Sequence, residues 1–266
     1  MLFAIFMISA IFAVLFQQIM PQFIFQRDLY EVRERPSKTY HWAAFMMANI
    51  FVEIPYQILL GIMVFGSFVY PVFGVISSEN QGIILLILAE FFLWGSTFAH
   101  AVVAVLPDGE TAAEIATLIF YLLLIFNGVL VPRESLPGFW NFMYRLSPMT
   151  YIINTIAASG VNGRRVDCAR NELNIFQPQP GTACGQYMQP FFQAAGSAAG
   201  SLLNPDDTRD CKYCQLRVTD QFLESRDIKT SQRWRNVGLI WAYIGFDVFF
   251  AVTVYYLFRV KRWKRH

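Results

Sequence analysis

Gln26-Arg-Asp-Leu-Tyr-Glu-Val-Arg-Glu-Arg-Pro-Ser-Lys-Thr-Tyr40 is the one dense charge cluster of this chain that lies between long apolar runs. The run before it extends from Met1 to Met20, and the run after it from Trp42 to Tyr70. A charged segment wedged between two stretches of membrane-spanning length is either a solvated connector or a surface on which a soluble partner docks. Both readings presuppose a membrane, and composition supports one. The 266 residues are 55% hydrophobic and 17% aromatic, with only 15% charged, a balance that sets the chain apart from soluble domains.

A bilayer core of roughly 30 Å needs about 20 apolar residues in helix. Five segments meet that length: Met1–Met20, Trp42–Tyr70, Ile83–Leu106, Ala112–Val131 and Val237–Phe258. None alternates apolar and polar residues as a barrel strand would, and a helix satisfies its backbone groups internally. The predicted fold class is an all-α membrane protein. Met1 opens directly into an apolar run, without the basic start or small-residue cleavage site of a signal peptide.

Orientation follows from basic residues in short segments near helix ends. The tail Arg259-Val-Lys-Arg-Trp-Lys-Arg-His266 is strongly basic and is expected in the cytosol. Counting spans back places Arg27–Lys38, with four cationic and three acidic residues, on the same side and Met1 outside. A first helix entering from outside, with no translocation signal ahead of it, leads to the expectation that an upstream helix is missing and the chain is a fragment.

Cys168, Cys184, Cys211 and Cys214 all fall between the fourth and fifth spans, on the outer, oxidising side. An even number confined there predicts two disulfides, with three pairings open, a Cys211–Cys214 bridge among them. The rival reading of Cys211-Lys-Tyr-Cys214, a zinc knuckle or redox pair, lacks a second pair at ligand spacing or a nearby histidine.

Breakers divide the rest. Pro55, inside the second span, predicts a kink, and Pro71–Gln81 is a short outer turn. Pro107-Asp-Gly-Glu-Thr111 is a tight cytosolic connector whose acids sit at the start of the next helix, where its dipole favours them. After Pro132-Arg-Glu-Ser-Leu-Pro-Gly138 the segment Phe139–Leu146 reads as a short amphipathic interfacial helix. Met149–Ala158 is apolar but too short to span, as re-entrant segments are. From Ser159 to Arg235 the chain is polar, a folded outer loop without an N-x-[ST] sequon.

Chemistry is sparse. There is no G-x-x-x-x-G-K-[ST], no G-x-S-x-G and no H-E-x-x-H, and His41, His100 and His266 are scattered, so neither catalysis nor a metal site is supported. Glu53, Glu90, His100 and Asp247 lie within spans, each at roughly 2.5–3.5 kcal/mol if left at a helix centre facing lipid. They are either a proton or substrate pathway or polar ties between helices. Thr117, Phe120, Leu124, Asn127 and Val131 recur at spacings of three and four, a face that could line a cavity or pack on another helix.

The charged segment 26–40, FVEIPYQ at 51–57, FNGVLVPRESLPGFWNFMYRLSPMTYI at 126–152, CKYC at 211–214 and SQRWRNVGL at 231–239 occur in a specific order. In that order they resemble the second transmembrane domain of fungal pleiotropic drug resistance transporters, full-size members of the G subfamily of ABC exporters. The resemblance covers essentially the whole chain. It implies an ABC-2 type domain with five of its six helices, two re-entrant helices and a disulfide-bonded extracellular loop. On that reading residues 1–132 hold helices two to five with a cytosolic coupling loop at 21–40. Residues 133–235 hold the re-entrant helices and the cysteine loop, and 236–266 the last helix and tail.

The resemblance further implies that Asp28, Tyr30, Glu31, Arg33, Glu34 and Arg35 form a coupling helix that receives an ATP-driven stroke from nucleotide-binding domains. Met7, Ile11 and Val14 would face Phe120, Leu124 and Asn127 across a substrate cavity, beneath an apolar plug of Val129 and Leu130. The implied function is plasma-membrane efflux of hydrophobic drugs or lipids, in partnership with the other transmembrane half and the membrane, with no nucleic acid partner. ATP and magnesium would bind in nucleotide-binding domains outside these residues, and this segment alone would transport nothing. An inactive truncated product, or a small autonomous channel or scaffold, are the alternatives.

Overall fold

The computed structural model describes residues 2–9, 11–131 and 133–261. Met1, Ala10, Pro132 and residues 262–266 lie outside the described residues, and with them the expected positions of Met1 and of the end of the basic tail.

The chain begins with α1 (Leu2–Ile8) and α2 (Ile11–Leu29), and α2 widens into a π-helical turn at Tyr30–Glu34. The charged segment, expected as a loop, is therefore largely a continuation of the first apolar helix. Nothing in residues 21–29 forbids this: Pro21 is the one breaker in α2, and the helix runs through it. The chain breaks only after Arg35, where Pro36 follows and Lys38 takes a φ of 55°.

α3 (Trp42–Val64) starts where the His41 ring Nδ1 accepts a hydrogen bond from the Ala43 amide at 3.2 Å, and it passes through Pro55 without interruption. A π-helical turn at Phe65–Val69 and a short α4 (Tyr70–Phe73) complete it. α5 (Ser78–Val103) begins at a Ser77 cap, five residues before the apolar run, because the hydroxyl accepts from the Asn80 amide at 3.4 Å. Among the described residues, four helical stretches are long and apolar enough to cross a membrane: Phe3–Glu34, Trp42–Phe73, Ser78–Val103 and Thr230–Val260.

The fourth expected span, Ala112–Val131, ends early. α6 (Gly109–Ile125) has 17 residues, about 26 Å at 1.5 Å per residue, and stops six residues before Val131. Asn127 is the cause: its side-chain oxygen accepts from the Val129 amide at 2.9 Å, an alternative to the helical ladder, and Gly128 follows at φ 87°. A Cβ at Gly128 would lie 2.7 Å from the Tyr144 ring, so glycine is required there on two counts.

Two short helices follow, α7 (Asn141–Leu146) and α8 (Pro148–Val161), close to the expected re-entrant pieces. They pack with the long helices. Ser147 donates to the Leu123 carbonyl of α6 at 2.9 Å, and Met149, Ile152, Ile153 and Ile156 are buried. α11 (Arg233–Tyr255), continued by a π-helical turn at Tyr256–Val260, is tied to α8 by Asn236 donating to Thr155 at 3.2 Å. The helical unit comprises residues 1–160 and 230–266.

At its centre Phe12 is enclosed by aromatic rings. Its centroid lies 4.5 Å from Phe120, 4.9 Å from Trp94 and 4.9 Å from Phe91. Between helices in lipid the hydrophobic effect contributes little, so dispersion between close-packed rings holds this junction of α2, α5 and α6.

Residues 161–229 form a second compact unit. Its sheet has β3 (Cys211–Cys214) between β1 (Asn174–Phe176) and β2 (Ser201–Leu202), both antiparallel to it, with Asn174 opposite Tyr213 and Ser201 opposite Cys214. Two helices, α9 (Cys184–Ala195) and α10 (Thr219–Ser225), complete it. The bridges are Cys168–Cys214 and Cys184–Cys211. A Cys211–Cys214 bridge is excluded by the strand itself. Three residues apart, the two thiols point to opposite faces with α-carbons about 10 Å apart, beyond disulfide reach.

Candidate functional site

Two features of the helical unit are candidates for a functional site: the charged end of α2, and a groove between α2 and α6.

Of the six residues expected on a coupling helix, the fold turns only some outward. Tyr30 is buried and stacks on Phe45 of α3 with centroids 4.6 Å apart. Glu31 accepts from Arg259 at 3.5 Å and from the Tyr255 hydroxyl at 3.4 Å. Glu34 accepts from the Tyr40 hydroxyl, and Arg35 donates to the Arg259 carbonyl at 3.3 Å. Burial, and then the Glu34 carboxylate, push the Tyr40 hydroxyl up to about 12, so it stays a donor at neutral pH.

Asp28 and Arg33 remain exposed, and beside them stand Leu29 and Val32, the latter 79% exposed. The outward face is thus Asp28, Leu29, Val32 and Arg33, two charges flanking two apolar side chains. Reading charge alone missed Leu29 and Val32. Their exposure amid charges was the signal, but it appears only once Tyr30 is known to point inward.

The groove has a volume of about 940 Å³ and lies between Gln17, Pro21, Ile24 and Phe25 of α2 and Ala113, Thr117, Leu118 and Tyr121 of α6. Asp28, Asp108, Glu110 and Glu114 stand at its charged end. Its size is that of a small-molecule pocket.

The expected cavity residues divide between two environments. Met7, Ile11 and Val14 are exposed; Ile11 and Val14 share helical spacing on α2 with Gln17, Pro21 and Phe25 of the groove wall, whereas Met7 lies on the separate α1, and none of the three lines the groove. Phe120, Leu124 and Asn127 are buried in the helical unit instead. The structure does not bring these two sets together across a cavity. The open face of α6 is a quarter-turn away, at Thr117, Leu118 and Tyr121. The periodicity that groups Thr117 with Phe120, Leu124 and Asn127 thus straddles two environments, Thr117 on the groove and the other three buried, because spacing does not tell which side a neighbouring helix covers.

The connector between α5 and α6 is held by both sides. Asp108 caps α6, accepting from Thr111 at 2.8 Å and Glu110 at 3.4 Å. The Thr111 side chain, then the same amides, hold its carboxyl below the ordinary aspartate value. Gly109 lies against α2 so closely that a Cβ would sit 2.9 Å from the Pro21 α-carbon.

The plug candidates lie in the turn after α6, Leu130 being 48% exposed. The intramembrane polar residues are mostly enclosed. His100 bonds the Ser96 carbonyl at 2.7 Å, and partly exposed Glu53 accepts from Gln57 at 3.1 Å. Glu90 of α5 is fully buried beside Trp241 of α11, and Asp247 of α11 beside Trp94 of α5. Both Glu90 oxygens lack a hydrogen bond of ordinary geometry. No group of three or more metal-ligating side chains occurs among the described residues.

Comparison with known sequences identifies the architecture. Residues 1–159 match the ABC-2 type transporter family. The chain is 55% identical over 98% of its length to "ABC multidrug transporter atrI" of Aspergillus fumigatus, covering 18% of that protein. It is 54% identical over 98% to "ABC multidrug transporter MDR1" of Trichophyton tonsurans, covering 17%. It is 47% identical over 97% to "ABC-type transporter adrC" of Penicillium roqueforti, covering 18%. The chain thus spans less than a fifth of the length of these relatives. It belongs to the ABC-2 type transporter family, and it is an integral membrane domain.

Proposed function

We propose, on the premise of membership in the ABC-2 type transporter family, that this segment is half of the membrane pathway of an ATP-driven exporter of hydrophobic compounds. One observation carries the reading. A single helix, α2 with its π-helical extension, forms a wall of the groove along Gln17, Pro21 and Phe25 and ends in the exposed face Asp28, Leu29, Val32 and Arg33. Movement imposed on that end must displace the groove wall, because the helix between them is continuous.

The partner of the exposed face is a nucleotide-binding domain in the cytosol, which places the basic end of the chain there too. The mixed surface suits reversible docking: Leu29 and Val32 supply area, while Asp28 and Arg33 keep it soluble and set register. ATP and magnesium bind in that domain. The groove supplies an adaptable apolar wall with few fixed polar anchors, as a polyspecific site requires. The second transmembrane half closes its open side, and the membrane is the plasma membrane. The names of the similar fungal proteins support multidrug export.

Energy-dependent efflux of a fluorescent hydrophobic dye, in cells producing the full-length transporter that carries this segment, tests the reading. Tyr121→Ala and Phe25→Ala are expected to reorder the preference among dyes at unchanged surface level. Identical preference in both variants would count against the groove as substrate wall.

A further inference from the structure

Arg27 is the largest charged side chain in the helical core, 1% exposed, and charge alone does not explain its position. It donates to the Leu106 carbonyl at 2.7 Å, to the Pro107 carbonyl at 2.8 Å and, weakly, to the Val103 carbonyl at 3.4 Å. These belong to the last turn of α5 and the connector beyond it, where helix carbonyls have no intrahelical partner and the dipole is negative. A planar fork is what two neighbouring carbonyls need, and the Asp28 carboxylate at 3.6 Å balances the charge.

A second guanidinium meets the same atom. Arg259, in the π-helical turn after α11, donates to the Leu106 carbonyl at 3.3 Å and pairs with Glu31 in the π-helical turn after α2 at 3.5 Å. Two helix ends, each widened to π geometry, thus converge on one carbonyl of the connector. Such widenings are uncommon and concentrate at functional sites. The connector in turn opens α6 through the Asp108 cap and lies against α2 at Gly109.

We infer that Arg27 is the positioning residue that carries displacement of the charged end of α2 across to α6, so that both walls of the groove move together. The inference rests on the exporter reading above. Packing joins α2 to α6 at Phe12–Phe120 and at Pro21–Gly109, but α6 has no residue on the docking face, and the link from that charged end itself is hydrogen-bonded. The route to α6 runs through Arg27 to Leu106 and Pro107, then through Asp108 to the helix whose Thr117 and Tyr121 line the groove. Tyr30 stacks on Phe45 of α3, Glu34 accepts from Tyr40 just before that helix, and Arg35 donates to the Arg259 carbonyl, so these residues anchor the docking segment to its other neighbours.

The test uses the full-length transporter in sealed vesicles, with ATP consumed and dye exported measured together. Arg27→Gln is expected to keep dye-stimulated ATP hydrolysis with an unchanged KM for dye, while export per ATP falls about tenfold, within the range by which substitutions between two coupled sites alter their coupling. Arg27→Lys, which keeps the charge but cannot fork between two carbonyls, is expected to fall between parent and Arg27→Gln. A purely structural role would lower protein level and melting temperature and leave export per ATP unchanged in the protein that survives. If Arg27→Gln does not reach the membrane, Arg27→Lys carries the test alone. Export per ATP at the parent value in the membrane-resident variant overturns the inference. A parent that hydrolyses ATP yet exports no dye overturns the exporter reading, and this inference with it.

Discussion

The rings of Phe12 and Phe120 stack with centroids 4.5 Å apart and planes inclined by 24°, and neither side chain is exposed. This contact joins α2 to α6 above the groove and fixes the rotation of α6 about its axis. It puts Phe120 and Leu124 inside and leaves Thr117, Leu118 and Tyr121 to face the groove.

Phe120→Ala is therefore expected to destabilise the domain by about 3 kcal/mol through an unfilled cavity. Tyr121→Ala, one residue along, is expected to change stability little. Thermal unfolding of both variants in detergent checks the contrast. Equal melting temperatures would mean that Phe120 does not sit in a packed core.

Gly95 and Gly109 are expected to reject alanine for different reasons. A Cβ at Gly95 would overlap the Phe12 ring, which cannot retreat because Phe91, Trp94 and Phe120 enclose it. A Cβ at Gly109 would press on the Pro21 backbone at 2.9 Å. Overpacking of this kind typically destabilises by about 1–3 kcal/mol. Gly82→Ala is the control, since its Cβ meets nothing within 4 Å. Comparable melting temperatures for all three variants would contradict the close approaches.

The cysteine unit predicts a definite peptide map. Non-reducing digestion should yield Cys168 linked to Cys214 and Cys184 linked to Cys211. In the chain-entropy picture each bridge, closing 27 or 46 residues, contributes about 3–4 kcal/mol. Cys184→Ser with Cys211→Ser should leave this unit markedly more sensitive to protease. A Cys211–Cys214 peptide in the map would contradict the strand assignment.

The α6 cap predicts a pH profile. Because the folded state holds Asp108 below its ordinary value of 3.8, its contribution is complete above that value and is lost as pH falls through the lower, folded one. Amide exchange protection at Glu110 and Thr111 should be flat from neutral pH down to about 4 and decline below it. Asp108→Ala should lower protection throughout. Protection unaffected by this substitution would show that the cap is not formed.

Legibility in the sequence followed the physics of each element. Long apolar runs mark spans because lipid admits little else, and the runs at Trp42 and Val237 fall within helices that extend a few residues past them. Boundaries set by side-chain caps were less visible. Ser77 lengthened one helix and Asn127 shortened another, each through one hydrogen bond that hydropathy does not register. The charged segment announced its importance, yet its inward members, Tyr30 and Glu31, are held by Phe45 and Arg259, partners distant in sequence. The groove needed the rotation of α6, which a single contact between aromatic rings decides.

The most direct test of the central claim is export per ATP in the full-length transporter carrying Val32→Asp with Arg33→Asp. Both residues face outward, so folding and dye binding should be kept. The docking face is expected to fail: the variant should reach the plasma membrane, bind dye with parental affinity and export at a small fraction of the parental rate per ATP hydrolysed. Export at the parental ratio would contradict the assignment of this helix end as the place where ATP-driven movement enters the membrane domain.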